Sequence, residues 1–333
     1  MKPERNDACP CGSQKKDKRC SMGKDPVTSA EDVLSEIKRY YESNPGLTQE
    51  DFETFVQRTF AAHNQQPNLD FCGLSPEQMA NWLYAPWHEL KNVTINTPDT
   101  FSSSPVMRYL ALMLDEAEHH GGAFKATPRG NLPTKLVKQA SALLPEFAVA
   151  RYAGHISISD FAGHNEESIN ALHYTRVLAE IAGILYRRKG HFHVKKSARK
   201  QYQTQGLQAF FIPMLEAATQ RYNWGYFDGW EESVDLASVW LFMLWRLHTH
   251  TRVDPLTDEV ITAFPDILSY LSERSYTTPR KQLGLMIESR FIERFLQFWG
   301  FVIIDPLRVS NAEAIKRKAE IQPLFEATFI FHV

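Results

Sequence analysis

The sequence predicts a mainly α, multi-helical fold interrupted by short β-hairpins and preceded by a small cysteine-bearing appendage. Three observations carry this reading. Apolar residues recur at helical spacing along most of the chain. Several of these runs end in glycine and lead into short β-prone segments. Three of the 4 cysteines fall at the very start. The composition agrees: of 333 residues, 43% are apolar and 23% charged, the balance of a globular protein with ample surface to bury. At about 150 residues per domain, the length accommodates two or three domains. Thirty-seven basic against 39 acidic side chains give a net charge of -2. The chain as a whole is no polycation, so a nucleic-acid surface would have to come from local segregation of charge.

Taken in order, residues 1–24 are polar and basic without helical or strand period. Ser29 with Asp32 resembles a capping box, and Val33, Ile37 and Tyr40/Tyr41 follow at helical spacing. A second helix starts at Thr48 and carries Phe52, Phe55, Val56 and Phe60. Ser75-Pro76-Glu77-Gln78 caps a third, with Met79, Trp82 and Leu83. Ala85 to Ser104, rich in Pro, Asn, Thr and Ser, reads as a loop and a boundary. Ser104-Pro105 opens a helix with Met107, Leu110 and Leu114 inward, ended by Gly121-Gly122. Ala123–Thr127 then reads as a strand, Pro128–Asn131 as a turn, and Leu132-Pro133 as the start of the next helix. From Glu166 to Leu185, Tyr174, Leu178, Ile181 and Leu185 form a core-facing stripe. Two β-prone arms, Ile184–Tyr186 and His191–Val194, flank Arg187-Arg188-Lys189-Gly190. Helix, helix and basic hairpin in that order is the layout of a winged helix. Residues 205–250 read as helical and aromatic, and residues 256–300 as two more helices ending at Gly300. Phe301–Ile304 is a strand with Lys318–Gln322 as its hairpin partner, before a packed terminal segment, Leu324–Val333. The last region echoes the middle one in arrangement, without repeating its residues.

These signals divide the chain into the appendage (1–24), a helical N-terminal domain (25–100), a winged-helix-like domain (101–204) and a helical C-terminal domain with a terminal β-hairpin (205–333). The opening MKPERNDACPCG has no apolar run of the kind a secretory signal needs. The most apolar stretch, Leu236 to Leu247, is far shorter than the roughly 20 residues that cross a bilayer. A cytoplasmic protein without a membrane partner is expected.

Cys9-Pro10-Cys11-Gly12-Ser13, Lys15-Lys16 and Cys20 give the spacing C-x-C-x8-C. Soft thiolates so close in sequence, in a reducing compartment, point to Zn²⁺ in place of a disulfide. Gly12 lets the chain fold back, and the flanking lysines favour the anionic thiolates. The segment resembles the SEC-C motif, the zinc-binding tail of the preprotein-translocation motor SecA. The resemblance rests on Asn6, Asp7, Cys9, Pro10, Cys11, Gly12, Ser13, Lys15, Lys16, Lys18 and Cys20, and covers only about 20 residues. Gln14 replaces a glycine of the motif, Asp17 a tyrosine, and Ser21 stands where a fourth ligand belongs. The resemblance implies one Zn²⁺ held by Cys9, Cys11 and Cys20, and docking to a chaperone or the ribosome. Arg129-Gly130-Asn131-Leu132-Pro133 and Gly73–Gln78 also look like stretches of bacterial proteins that carry SEC-C motifs, which implies a shared scaffold and names no activity.

Tyr186 to Lys200 contains seven Lys or Arg and no acid. In a winged helix, Arg187, Arg188, Lys189, Lys195 and Lys196 of this stretch would meet a phosphate backbone. The preceding helix would turn His173, Arg176 and Glu180 toward the groove. The alternative is a solvated hairpin, or one that binds acidic protein.

Other chemistry-bearing residues read more plainly. The aromatic run Tyr222–Trp230 packs a bend between helices, and His191/His193 and His248/His250 are surface histidines. Ser157, Ser159, Asp160 and His164 lack a nucleophile elbow. Cys72 is a buried small hydrophobe. No P-loop, dinucleotide fingerprint or H-E-x-x-H is present. The function expected is therefore non-enzymatic: a zinc-binding interaction protein docking to a protein or ribosomal partner. The alternative is a winged-helix DNA-binding regulator.

Overall fold

A computed structural model describes residues 30–147, 165–226, 228–274, 277–305, 309–310, 313–314 and 317–333. Within them the protein is mainly helical, with a few small antiparallel sheets. Helices α1 (Ala30–Ser43) and α2 (Gln49–Asn64) form a hairpin joined through Tyr40, stacked on Phe55, and Tyr41, edge-on to Phe52. Thr48 caps α2 as its sequence predicts, yet α2 buries no residue, so the hairpin stands off the main core.

That core is continuous from Leu74 to Phe329. Helix α3 (Pro76–Tyr84) starts at the predicted N-cap, which closes as a full capping box: the Ser75 hydroxyl accepts from the Gln78 N–H while the Gln78 side chain accepts from the Ser75 N–H. The stretch expected as a bare boundary, 85–104, is instead tied into the molecule. Trp82 donates to the Lys91 carbonyl, Trp87 stacks on Trp240, and strand β1 (Val93–Ile95) pairs antiparallel with β9 (Phe329–Phe331). Three residues, Val93-Thr94-Ile95, too few to signal a strand, are held by the far end of the chain.

Next come α4 (Pro105–His119), β2 (Ala123–Lys125), α5 (Thr134–Leu143), α6 (Asn170–Ile181), β3 (Leu185–Arg188) and β4 (His191–Val194). The three strands form one antiparallel sheet in the order β2-β4-β3. The stretch read as one helix from Glu166 to Leu185 is shorter. A 3-10 turn at Glu166–Ser168 precedes α6, and Gly183, with φ 73, ends it. Leu185 already belongs to the strand. Helices α7 (Lys196–Gln205) and α8 (Gln208–Glu216) follow, and α8 runs on as a wider π-helical turn, Ala217–Arg221.

After an irregular segment, α9 (Trp240–His250) and α10 (Val253–Ala263) lead to α11 (Pro279–Met286), continued by a π-helical stretch, Ile287–Gln297. Strand β5 (Val302–Ile304) pairs antiparallel with β8 (Ala319–Ile321), the hairpin partner the sequence predicted. Between them lie the short strands β6 (Val309–Ser310) and β7 (Glu313–Ala314). Helix α12 (Pro323–Thr328) delivers the chain to β9. Among the described residues no helix is long and apolar enough to cross a membrane.

Candidate functional site

The basic hairpin is built by three backbone devices. At the end of α6, the Ile184 N–H reaches back to the Ala179 carbonyl (2.9 Å), a closure that a left-handed Gly183 allows. Lys189 and Gly190 then both take positive φ, 49° and 72°, giving the two-residue turn that matches strand twist. The turn is therefore two residues long where the sequence suggested four, and Arg187 and Arg188 lie in β3. Finally the Lys195 N–H donates to the Ile184 carbonyl (2.9 Å), closing the hairpin at its base.

Strand parity sorts the side chains. Leu185 pairs with Val194, and Phe124 with Phe192; all four are buried beneath the sheet. On the outer face the register sets Lys125 opposite His191 opposite Arg188, and Ala123 opposite His193 opposite Tyr186. Tyr186 stacks on His193 with ring centroids 5.1 Å apart. Arg187 falls on the inner parity at the sheet edge, where its guanidinium donates to the Gly130 carbonyl (3.1 Å). A Cβ on Gly130, itself at φ 86, would collide with that guanidinium. Arg187, Arg188, Lys189, Lys195 and Lys196 are all solvent-exposed, as the sequence suggests. Arg199, one turn into α7, is held by Glu118 (2.6 Å), and the hydrogen bond from its guanidinium holds the Glu118 carboxyl below its ordinary range.

Arg176 is not on that surface. It is 8% exposed and lies inside a cluster centred on Glu166, whose side chain is entirely buried. One Glu166 oxygen accepts from Arg176 Nε (2.6 Å) and meets His173 Nδ1 (2.9 Å); the other accepts from the Leu132 N–H. Arg176 also donates to Glu180 (3.1 Å), and its guanidinium lies over the Phe192 ring. Burial opposes ionisation of Glu166, but the bonds from His173, Arg176 and Leu132 outweigh it and hold the carboxyl below its usual range. The expectation that His173, Arg176 and Glu180 face a groove fails for a physical reason. Glu166, ten residues upstream of Arg176, captures His173 and Arg176 inside, and Arg176 in turn holds the half-buried Glu180. Another side of α6 is covered too: Tyr174 packs edge-on to Tyr222, lies beside Phe298 and accepts from Trp299 Nε1 (3.2 Å).

The other predicted site residues separate cleanly. Cys9, Cys11 and Cys20 lie outside the described residues, as do Ser157, Ser159, Asp160 and His164. Among the described residues, no group of three or more His, Cys, Asp or Glu is placed to hold a metal ion. His248 Nε2 meets Glu326 (3.0 Å) and the ring stacks on Phe325, and His250 Nε2 meets Glu259 (2.9 Å), so both are held by hydrogen bonds to carboxylates. Cys72 is half-buried in a left-handed turn (φ 56). Tyr222 and Trp224 pack the bend between helices, as expected of the aromatic run.

Two features were missed from sequence. One is Glu166, which nothing marked as a core residue. The other is the outward alignment of Lys125 and Tyr186 with the two histidines; the alternation His191-Phe192-His193-Val194-Lys195 was its available signal. An open cleft of about 960 Å³ also lies between α4, α6 and the β5 region. Its walls mix apolar Pro105, Leu144, Phe298 and Val302 with Arg108, Glu146, Glu293 and Arg317. Compared with protein-family models, with curated proteins and with solved structures, the chain matches none.

Proposed function

We propose that this protein is a non-enzymatic, zinc-dependent interaction protein, whose N-terminal segment docks to a protein or ribosomal partner while the helical body serves as its rigid base. In this reading Cys9, Cys11 and Cys20 hold one Zn²⁺. Metal binding supplies the folding free energy that so short a segment cannot draw from a core. The basic side chains Lys15, Lys16, Lys18 and Arg19 then form an ordered docking face. The observation that carries the reading, against a DNA regulator, is the burial of α6: Ala171 to Arg176, Leu178 and Ala179 are all buried. A helix buried along most of its length offers a groove only the half-buried Asn170, Val177, Glu180 and Ile181, and the mixed apolar and charged cleft suits a protein scaffold.

The element order from α4 to β4, with its β2-β4-β3 sheet, supports a winged-helix-like module and keeps a second reading in play. That reading is a regulator that grips duplex DNA with the exposed Arg187, Arg188, Lys189, Lys195 and Lys196. Affinity capture of the intact chain and of the Cys9→Ser/Cys11→Ser variant, each with and without nuclease, tests both, alongside measurement of bound zinc. The interaction reading expects about one zinc per chain and protein partners lost in the variant yet resistant to nuclease. Zinc-free protein, or an identical partner set from both chains, would overturn it. Partners released only by nuclease would promote the regulator.

A further inference from the structure

Among the described residues no element covers the outer face of the β2-β4-β3 sheet, where Lys125, Tyr186, Arg188 and His191 are exposed, and the face carries an unusual row. Lys125, His191 and Arg188 stand directly opposite one another on the three strands. Lys125 and Arg188 thus flank one imidazole from either side, with no acidic side chain in the row to offset their charge. The six outward positions of the three strands are Ala123, Lys125, Tyr186, Arg188, His191 and His193, and none is acidic. The next row along is aromatic: Tyr186, 40% exposed, stacked on His193. Beyond it Lys195 continues the outward parity of β4 and is exposed. Positive charge therefore brackets a pair of stacked rings over about 13 Å of strand.

We propose that this face binds single-stranded nucleic acid, with phosphates at Lys125, Arg188 and Lys195 and a base stacked on Tyr186. Charge complementarity selects a polyanion. The aromatic row between the cations selects a strand whose bases are free, since a duplex offers phosphates but hides the faces of its bases. Burial of α6 points the same way, because it removes the helix with which a winged helix reads a duplex. The site is independent of the cysteine segment and stands whether or not that segment binds zinc.

Fluorescence anisotropy of the full chain with labelled uridine and thymidine oligonucleotides of roughly 20 residues, and with a hairpin duplex, tests this. Both single strands are expected to bind more tightly than the duplex; a preference between them would assign RNA or DNA. Lys125→Ala/Arg188→Ala/Lys195→Ala should weaken binding at least tenfold and flatten the slope of log affinity against log salt by about 2. Tyr186→Ala should weaken it about fivefold or more, and Tyr186→Phe, which keeps the ring, should leave it within about twofold. All these positions face solvent, so thermal unfolding should match the parent, which separates lost binding from lost fold. Three results would overturn the proposal. One is no binding of either single strand at about 50 mM salt. Another is an unchanged salt slope in the triple variant, which would place binding elsewhere, such as the basic N-terminal segment. The third is equal affinity for the duplex and the single strands with no loss in Tyr186→Ala.

Discussion

Between Pro105 and Val194 the chain runs helix, strand, two helices and a hairpin, and between Trp240 and Ile321 it does nearly the same again. In the second run α9 replaces α4, and Arg252, bridged to Lys318, replaces strand β2. Helices α10 and α11 replace α5 and α6, and β5 and β8 replace β3 and β4. The backbone closures correspond bond for bond. Phe301 N–H reaches the Leu296 carbonyl past Gly300 as Ile184 N–H reaches Ala179 past Gly183, each at 2.9 Å. Gln322 N–H closes on the Phe301 carbonyl as Lys195 N–H closes on Ile184, again at 2.9 Å. The outward faces differ. Where the middle unit shows Tyr186 opposite His193 and Arg188 opposite His191, the C-terminal unit shows Ile303 opposite Glu320. The shared backbone order thus carries no binding chemistry of its own. Whatever each hairpin recognises is written in its outward positions.

The deepest difference between the units lies at their equivalent glycines. Gly300 (φ 78) sits against the Ser103 backbone at the start of α4, and a Cβ there would run into the Ser103 carbonyl oxygen. Among the described residues, Gly183 (φ 73) has only the flexible end of Lys195 nearby, 2.7 Å from where a Cβ would stand. Both alanine variants bear the left-handed penalty of about 1–2 kcal/mol. Gly300→Ala adds a clash with backbone that cannot swing away, for a total of about 3 kcal/mol or more. Gly183→Ala should stay near the penalty alone. Urea denaturation of the two variants checks the ranking. Equal losses would mean that the C-terminal unit is not seated on α4 through Gly300.

This contrast also shows what the sequence discloses. Gly300, both hairpins and most of the helices around them are legible because their causes are local: a glycine after a periodic run, β-prone arms about a turn. Gly183 is hidden because the apolar stripe runs on to Leu185. The fate of α6 is not local. His173 and Arg176 look like a solvated face because their pairing with Glu166 depends on a chain reversal, and the Tyr174 side of the helix is covered by Tyr222, Phe298 and Trp299, far along the sequence. Strand β1 is equally hidden, since its partner β9 lies at the other end of the chain; Thr94 and His332 at that seam are 238 residues apart. Of the candidate site, the exposed cations were readable one by one. Their alignment with Lys125 was not, because register is a property of the sheet.

Glu166 sharpens the comparison next. In the middle unit it anchors α6, whereas in the C-terminal unit Arg290, at the position equivalent to His173, pairs with Asp228 from the irregular segment before α9. Glu166→Gln keeps the size but leaves Arg176 buried beside a neutral amide. A loss of about 3 kcal/mol near neutral pH is expected. The sign of the pH dependence follows from the lowered folded-state pKa of Glu166. Its contribution is present above the ordinary unfolded value of 4.5 and is lost as pH falls through the lower folded value. The gap between parent and variant should therefore narrow in acid. A gap that is constant from neutral pH down through the acid limb would show that the carboxylate charge does not anchor α6.

The smallest effect concerns how each hairpin is pinned. Arg317 donates from Nη1 to Glu288 and Glu293 and from Nε to the Asp305 carbonyl (2.6 Å), with its side chain only 11% exposed. Arg187, an exposed residue, pins the other hairpin through one part-buried bond to the Gly130 carbonyl. Removing Arg317 leaves two half-buried carboxylates facing each other, so Arg317→Ala should cost about 2 kcal/mol. Arg187→Ala should stay within about 0.5 kcal/mol, as exposed positions generally do. The shift in denaturant midpoint for each single variant measures this directly. If Arg187→Ala proved the more damaging, the basic hairpin would be the stiffer of the two. Its cations would then be committed to holding the sheet edge, which would weaken the case that they are kept for a partner.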